Sequence, residues 1–110
     1  MICVSLKQNK QGDIFWFEVK GHSGQAPAGN DIVCAGVSAI VQTALIGLEE
    51  VAEVKNAYTL ADGFVECQLP LENMSSEKKH CAAAILKTMR LGIESIAEQY
   101  PEFVRILVEL

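Results

Sequence analysis

The sequence predicts an α+β fold in the order ββαββαβ, with an antiparallel or mixed sheet and two helices layered on one face. Short segments in which apolar and polar residues alternate indicate strands, and two long segments with few breaks indicate helices. The chain has 110 residues, of which 50% are hydrophobic and 21% are charged, so it is large enough for one core. We therefore expect a single domain over residues 1–110.

The first hairpin is predicted from alternation on both sides of a turn. Residues 1–7 alternate, the stretch NKQG favours a turn, and residues 14–20 alternate again. This second alternation predicts that Phe15, Phe17 and Val19 lie on one face of their strand.

A second hairpin and a final strand complete the predicted sheet. The strands lie near residues 56–60 and 64–69, and the pair Asp62-Gly63 between them favours a tight type I′ turn. The stretch FVRILVEL at the end of the chain predicts the last strand.

The first helix is predicted from Asp31, a good N-cap, to about Val54. Its first four turns are apolar nearly all round, which predicts burial on two sides. The uncharged run Ile32 to Leu48 is a little short for a membrane span and contains polar residues, so we interpret it as a buried helix.

The second helix is predicted from about Glu77 to Tyr100. Ser75 or Ser76 can cap its start, and Pro101 ends it. We expect the first helix to lie against the sheet and the second helix to cover the first.

Composition narrows the classes of partner and cofactor. The net charge is −5 and there is no basic run, which argues against direct nucleic-acid binding. The four cysteines, Cys3, Cys34, Cys67 and Cys81, form no CxxC pair, and the histidines do not cluster with them at zinc-site spacing. We therefore predict no metal and no cofactor.

The N-terminal stretch MICVSLKQNK has no secretion signal, so we expect a cytoplasmic protein with reduced thiols and no membrane partner.

A histidine and a cysteine twelve positions apart are the candidate catalytic pair. With Asp31 as the N-cap, Cys34 lies in the first helical turn, where unpaired N–H groups and the helix dipole favour a thiolate. His22 follows a strand end that the chain brings near this helix start, so it can exchange a proton with the thiol. Asp31 can orient the imidazole or can be occupied as the cap. The alternatives are purely structural roles, in which the cysteine packs in the core and the histidine hydrogen-bonds to a carbonyl.

The stretch between the strand end at Lys20 and the helix start at Asp31 contains glycines that allow it to bend close to a substrate, namely Gly21, Gly24 and Gly29. Ser38 lies one turn after Cys34 on the same helix face, where it can assist the site or bond to its own helix.

The stretches GH at 21–22 and G-x-DIVCAGVSA from Gly29 to Ala39 resemble the Prp family of bacterial ribosomal-processing cysteine proteases. The resemblance covers essentially the whole chain and implies that His22 and Cys34 form the catalytic dyad. It also implies that Asp31 and Ser38 support the site and that the loop between the dyad residues covers it.

The resemblance further implies a substrate and an oligomeric state. Members of the family remove a short N-terminal extension from the large-subunit ribosomal protein numbered twenty-seven, in support of ribosome assembly. The resemblance also implies that the protein forms a homodimer. Two alternatives from other classes are a non-enzymatic module that binds a ribosomal protein and a redox protein with Cys34 as its sensing thiol.

Overall fold

The computed structural model describes residues 1–27 and 31–109. The observed order is ββαββαβ, as predicted, with a short 3₁₀ turn before the second helix. The elements are β1 (Ile2–Gln8), β2 (Ile14–Lys20), α1 (Ile32–Glu50), β3 (Tyr58–Ala61), β4 (Phe64–Gln68), the 3₁₀ turn (Leu71–Asn73), α2 (Ser76–Gln99) and β5 (Val104–Glu109).

The five strands form one mixed sheet in the order β3-β4-β2-β1-β5. Strand β1 pairs antiparallel with β2, β2 with β4, and β4 with β3. Strand β5 lies at one edge of the sheet and runs parallel to its neighbour β1. The chain reaches β5 from β4 through α2, and a crossover of this length allows parallel strands. The mixed sheet with two helices confirms the predicted fold class.

A β-bulge in β2 changes which aromatic residue enters the core. Lys7 pairs with Trp16 but Gln8 pairs with Ile14, so Phe15 is the extra residue between them. Ile14 and Phe17 are therefore buried, whereas Phe15 is only half-buried. The predicted Phe15–Phe17–Val19 face is wrong at Phe15, because strict alternation does not anticipate an inserted residue.

The turn between β3 and β4 is a two-residue turn, but it is not type I′. Gly63 has a φ of +66°, whereas Asp62 is not among the residues with positive φ. A type I′ turn requires positive φ at both central residues, so the predicted turn type is wrong.

Helix α1 begins as predicted, with Asp31 as its N-cap, but it ends at Glu50, so the predicted end near Val54 is wrong. Its buried side chains form one stripe, Val33, Val37, Val41, Ala44, Leu45 and Leu48. The opposite side is exposed, with Ile32 and Ile46 both more than half accessible. Burial on two sides is therefore wrong for the described chain. The helix is apolar and long enough to cross a membrane, as core helices of globular proteins also are, and its inner stripe belongs to the core.

Helix α2 packs beside α1 and also approaches β2 and β5 directly. The expectation that α2 covers α1 from outside is therefore wrong, because both helices supply side chains to the same core. Close approach of the helices depends on small residues: a Cβ at Gly36 would lie 3.2 Å from Ile96 Cδ1. Ser75 is the N-cap of α2, and its hydroxyl accepts a hydrogen bond from Lys78 N–H at 3.2 Å.

Candidate active site

Cys34 lies in the first turn of α1, as the sequence predicts. The Asp31 carboxylate caps this turn and accepts a hydrogen bond from the Cys34 N–H at 2.9 Å. Cys34 is half-buried and lines an open cleft. A sulfur at this place is close to the positive end of the helix dipole and is open to a substrate.

His22 reaches the same point from the end of β2. Its Nδ1 lies 4.0 Å from Cys34 Sγ. The backbone that carries it is held to the tip of the β3–β4 hairpin, where Gly21 N–H donates to the Gly63 carbonyl at 2.9 Å. Gly21 has a φ of +92°, and a Cβ there would collide with the Met1 carbonyl oxygen. The structure therefore brings the predicted pair together.

The hairpin tip also lies against the imidazole. A Cβ at Gly63 would lie 2.9 Å from His22 Nε2 and 3.4 Å from Cε1. Gly63 thus leaves room for the ring in a place where a larger residue would displace it. The sequence predicted this glycine only as part of a turn.

Asp31 acts as the helix cap and does not bond the imidazole. One carboxylate oxygen accepts from the Cys34 N–H, and the other accepts from the Ser23 hydroxyl. Hydrogen bonds from the Cys34 backbone and then from the Ser23 side chain lower the pKa of Asp31 from 3.8 to about 2. The carboxylate is therefore ionised at neutral pH, and each of its oxygens accepts one of these two hydrogen bonds.

Ser23 is a site residue that the sequence analysis did not find. Its backbone N–H donates to Cys34 Sγ at 3.1 Å, while its hydroxyl donates to Asp31. The sequence could have indicated Ser23 only by its position, next to the histidine and eight residues before the N-cap aspartate. That signal is weak, because serine is common in loops.

An open cleft of about 690 Å³ is lined in part by His22 and Cys34. One wall comes from the first half of α1, and the facing wall comes from the β3–β4 hairpin. Apolar side chains line much of it, including Val37, Val41, Leu60, Phe64 and Val65. The cleft can therefore accept an extended peptide segment with apolar side chains next to the sulfur.

The remaining predicted site residues are Ser38, Gly24 and Gly29. Ser38 borders the cleft, but its hydroxyl accepts from Gln42 Nε2 at 2.8 Å, a contact within its own helix. Gly24 borders the cleft with a φ of +74° and open space around it. Gly29 lies outside the described residues.

The other cysteines and the lone tryptophan lie elsewhere. Cys67 is buried in the core, and burial raises the pKa of its thiol to about 12. Cys81 packs against the core from α2, and Cys3 is a half-buried residue of β1. Trp16 donates its indole N–H to Glu66 at 3.1 Å and has Lys7 over its ring at 4.6 Å, so it belongs to a cross-strand cluster. Within residues 1–27 and 31–109, no group of three or more His, Cys, Asp or Glu side chains could hold a metal ion.

The sequence model of a family described as cysteine protease Prp matches residues 1–105. The chain belongs to the Prp family. The Prp resemblance seen in the sequence is thereby confirmed, and the protein is a cysteine protease.

Two relatives are each named a ribosomal processing cysteine protease Prp. The one from Bacillus subtilis strain 168 is 26% identical over 112 residues, which cover 100% of this chain and 99% of the relative. The one from Staphylococcus aureus strain Mu50 is 29% identical over 109 residues, which cover 96% of this chain and 97% of the relative.

Solved structures show the same fold. The essential ribosomal processing protease Prp from S. aureus, crystallised with a covalently linked product peptide, matches with a TM-score of 0.88 and 25% identity over 99% of this chain and 100% of that chain. A protein from Streptococcus mutans matches with a TM-score of 0.82 and 28% identity over 99% of this chain and 94% of that chain. The ββαββαβ architecture is therefore that of Prp structures.

Proposed function

We propose that this cysteine protease removes the short N-terminal extension of the large-subunit ribosomal protein numbered twenty-seven and so supports ribosome assembly. In this proposal Cys34 is the nucleophile and His22 is the general base and acid. The observation that carries the assignment is the 4.0 Å approach of His22 Nδ1 to Cys34 Sγ in an open cleft. Family membership favours this function over a binding module or a redox sensor.

The reaction begins with proton transfer from the Cys34 thiol to His22 Nδ1. The neutral imidazole must therefore carry its hydrogen on Nε2, the atom that faces Gly63. The resulting thiolate is stabilised by the imidazolium, by the Ser23 N–H and by the helix start. The ionised Asp31 carboxylate opposes the thiolate, but its two oxygens are already engaged by hydrogen-bond donors.

Acylation follows when the thiolate attacks the scissile carbonyl carbon. The carbonyl oxygen becomes an oxyanion, and the Cys34 N–H is not free to bind it because that N–H bonds to Asp31. When the carbon–nitrogen bond breaks, the imidazolium of His22 gives its proton to the departing amine. The amine is the new N-terminus of the ribosomal protein, and the extension stays on Cys34 as a thioester.

Deacylation restores the enzyme. His22 takes a proton from water while the hydroxide oxygen adds to the thioester carbon, and the carbon–sulfur bond then breaks. The imidazolium of His22 returns its proton to the departing sulfur, and the extension leaves as a carboxylic acid that loses its proton to the solvent.

The cleft and the net charge support a peptide substrate of this kind. The apolar wall around Leu60 and Phe64 suits an extension with apolar side chains. The net charge of −5 favours approach of a basic protein that carries the extension. The relative from S. aureus has been crystallised with a covalently linked product peptide, which supports a covalent route.

A cleavage assay tests the proposal. A synthetic peptide that spans the extension and the first residues of the mature protein is incubated with wild type, with Cys34→Ala and with His22→Ala, and products are followed by mass. We expect cleavage by wild type, none by Cys34→Ala and strongly reduced cleavage by His22→Ala. A matched control is Cys81→Ala, which removes a thiol on α2 that does not line the cleft. An intact peptide with wild type, or equal cleavage by Cys34→Ala, would contradict the proposal.

We also propose a cytoplasmic homodimer. The outer side of α1 exposes Ile46 at 62% of its surface, and α2 exposes Leu91 at 56%. Apolar groups of this kind are suited to a protein interface. Light scattering on the eluting protein should give twice the chain mass of 12.0 kDa, and Ile46→Arg should reduce it. A mass of one chain for wild type at micromolar concentration would contradict the dimer.

A further inference from the structure

The proposed reaction uses the backbone N–H of Ser23 but does not explain the contacts of its buried hydroxyl. It is 4% exposed, and it is the only buried polar residue in the described part of the chain. Its hydroxyl donates to the Asp31 carboxylate and accepts from the Gln25 N–H at 3.1 Å. One short side chain therefore ties the strand end that carries His22 to the cap of the helix that carries Cys34.

The backbone of Ser23 contacts the reacting atom. Its N–H donates to Cys34 Sγ at 3.1 Å. A donor fixed in this place favours the thiolate over the thiol, because a hydrogen bond to an ionised group is stronger than one to a neutral group. The direction of this N–H depends on how firmly Ser23 is held.

We propose that Ser23 is a positioning residue, whose hydroxyl bond to Asp31 holds its own backbone N–H on the Cys34 sulfur and keeps the adjacent His22 in place. The inference rests on the proposed role of Cys34 as the nucleophile. Asp31 then has two functions, since the same carboxylate caps α1 and anchors Ser23.

The charges around the sulfur are consistent with this role. His22 and Asp31 are its titratable neighbours, and Asp62 lines the same cleft from the hairpin. Hydrogen bonds from the Cys34 backbone and the Ser23 hydroxyl lower the pKa of Asp31 to about 2, so the anchor stays ionised over the working pH range. The Ser23–Asp31 bond therefore keeps an ionised acceptor at neutral pH.

The test measures the reactivity of Cys34 without any substrate. The rate of Cys34 alkylation by iodoacetamide is followed from acid to alkaline pH by peptide mapping in wild type, Ser23→Ala and Ser23→Thr, with Ser95→Ala on α2 as the control. Removal of the hydroxyl loosens the N–H donor, so Ser23→Ala should raise the midpoint of the pH dependence by about one pH unit. Ser23→Thr keeps a hydroxyl and should restore the midpoint, and Ser95→Ala should leave it unchanged.

A double-mutant cycle with Asp31→Ala asks whether Ser23 acts through Asp31. In that background the hydroxyl has lost its anchor, so adding Ser23→Ala should give no further shift of the midpoint. A structural role alone would lower the melting temperature of Ser23→Ala without moving the midpoint, and that result would overturn the proposal. Equal shifts in both backgrounds, or no rescue by a folded Ser23→Thr, would also overturn it.

The experiment separates this inference from the proposed substrate. If wild type fails to cleave the ribosomal peptide but Ser23→Ala still shifts the Cys34 midpoint, the substrate assignment fails and the positioning role stands. With an active wild type, Ser23→Ala should lower kcat about tenfold with little change in KM, because it affects the reacting groups and not the peptide contacts. A change confined to KM would contradict the positioning role.

Discussion

Replacing Gly63 by alanine should disturb His22 while leaving the fold intact. An ideal Cβ at this position lies 2.9 Å from His22 Nε2. An unstrained contact needs about 3.5 Å, so the ring must move by about 0.6 Å. The imidazole is an exposed side chain and can move at little cost in stability. The cost appears in its alignment with Cys34, which lies 4.0 Å from Nδ1.

The chain offers a matched control in the turn between β1 and β2. Gly12 has a φ of +86° and Gly63 a φ of +66°, but a Cβ at Gly12 would meet no atom within 4 Å. Each alanine substitution forces a non-glycine residue into the left-handed region, at a cost of about 1–2 kcal/mol. In a domain of this size 1 kcal/mol lowers the melting temperature by about 4–8 °C. Both variants should therefore lose similar stability.

Only Gly63→Ala should lose substantial activity. A misplacement of about 1 Å can reduce a rate by roughly 100-fold, so we expect kcat/KM to fall by about 10- to 100-fold for Gly63→Ala. Gly12→Ala should keep the wild-type value in the same peptide cleavage assay, at a temperature where all variants are folded. Equal kcat/KM for the two variants would refute the view that Gly63 sets the position of His22.

Other expected outcomes concern thiol reactivity, acid stability and the core. Iodoacetamide at neutral pH should modify Cys34 fastest, His22→Ala should slow it, and Cys67 should react slowest because burial raises the pKa of its thiol to about 12; comparable rates at all four thiols would contradict an activated Cys34. Hydrogen bonds from the Cys34 N–H and the Ser23 hydroxyl lower the pKa of Asp31 from 3.8 to about 2. The contribution of ionised Asp31 to stability is therefore complete above pH 3.8 and is lost as the pH falls through about 2. The free energy of urea unfolding should therefore depend less on pH in Asp31→Asn than in wild type between pH 3.8 and about 2. The same pH dependence in both proteins would contradict the role of the Asp31 carboxylate as the helix cap. Leu86 is 0% exposed, so Leu86→Ala should reduce the free energy of urea unfolding by about 2–5 kcal/mol; a loss below about 1 kcal/mol would show that this part of the core is not close-packed.

Local signals predicted the elements and the proximity of His22 to Cys34. Helix caps such as Asp31 and Ser75 depend on a few neighbouring residues, so the sequence places them well. The proximity of His22 and Cys34 followed from connectivity, because a short loop must join a strand end to a helix start. The family resemblance made the pair specific.

The errors arise where distant parts of the chain decide the outcome. Phe15 left the core face because a bulge inserts one residue into β2, which alternation alone does not reveal. The exposed side of α1 depends on where α2 lies, and no pattern within α1 specifies that position. Ser23 was missed because its importance comes from contacts with Cys34 and Asp31, which only the folded chain brings together.

Detection of the acyl-enzyme is the most direct test of Cys34 as the nucleophile. Wild type is mixed with excess extension peptide, quenched in acid during the first turnover, digested and mapped by mass spectrometry. We predict a thioester that joins the N-terminal product fragment to Cys34, and no such adduct in Cys34→Ala. An adduct on a different residue, or rapid cleavage without any adduct on Cys34, would contradict the mechanism.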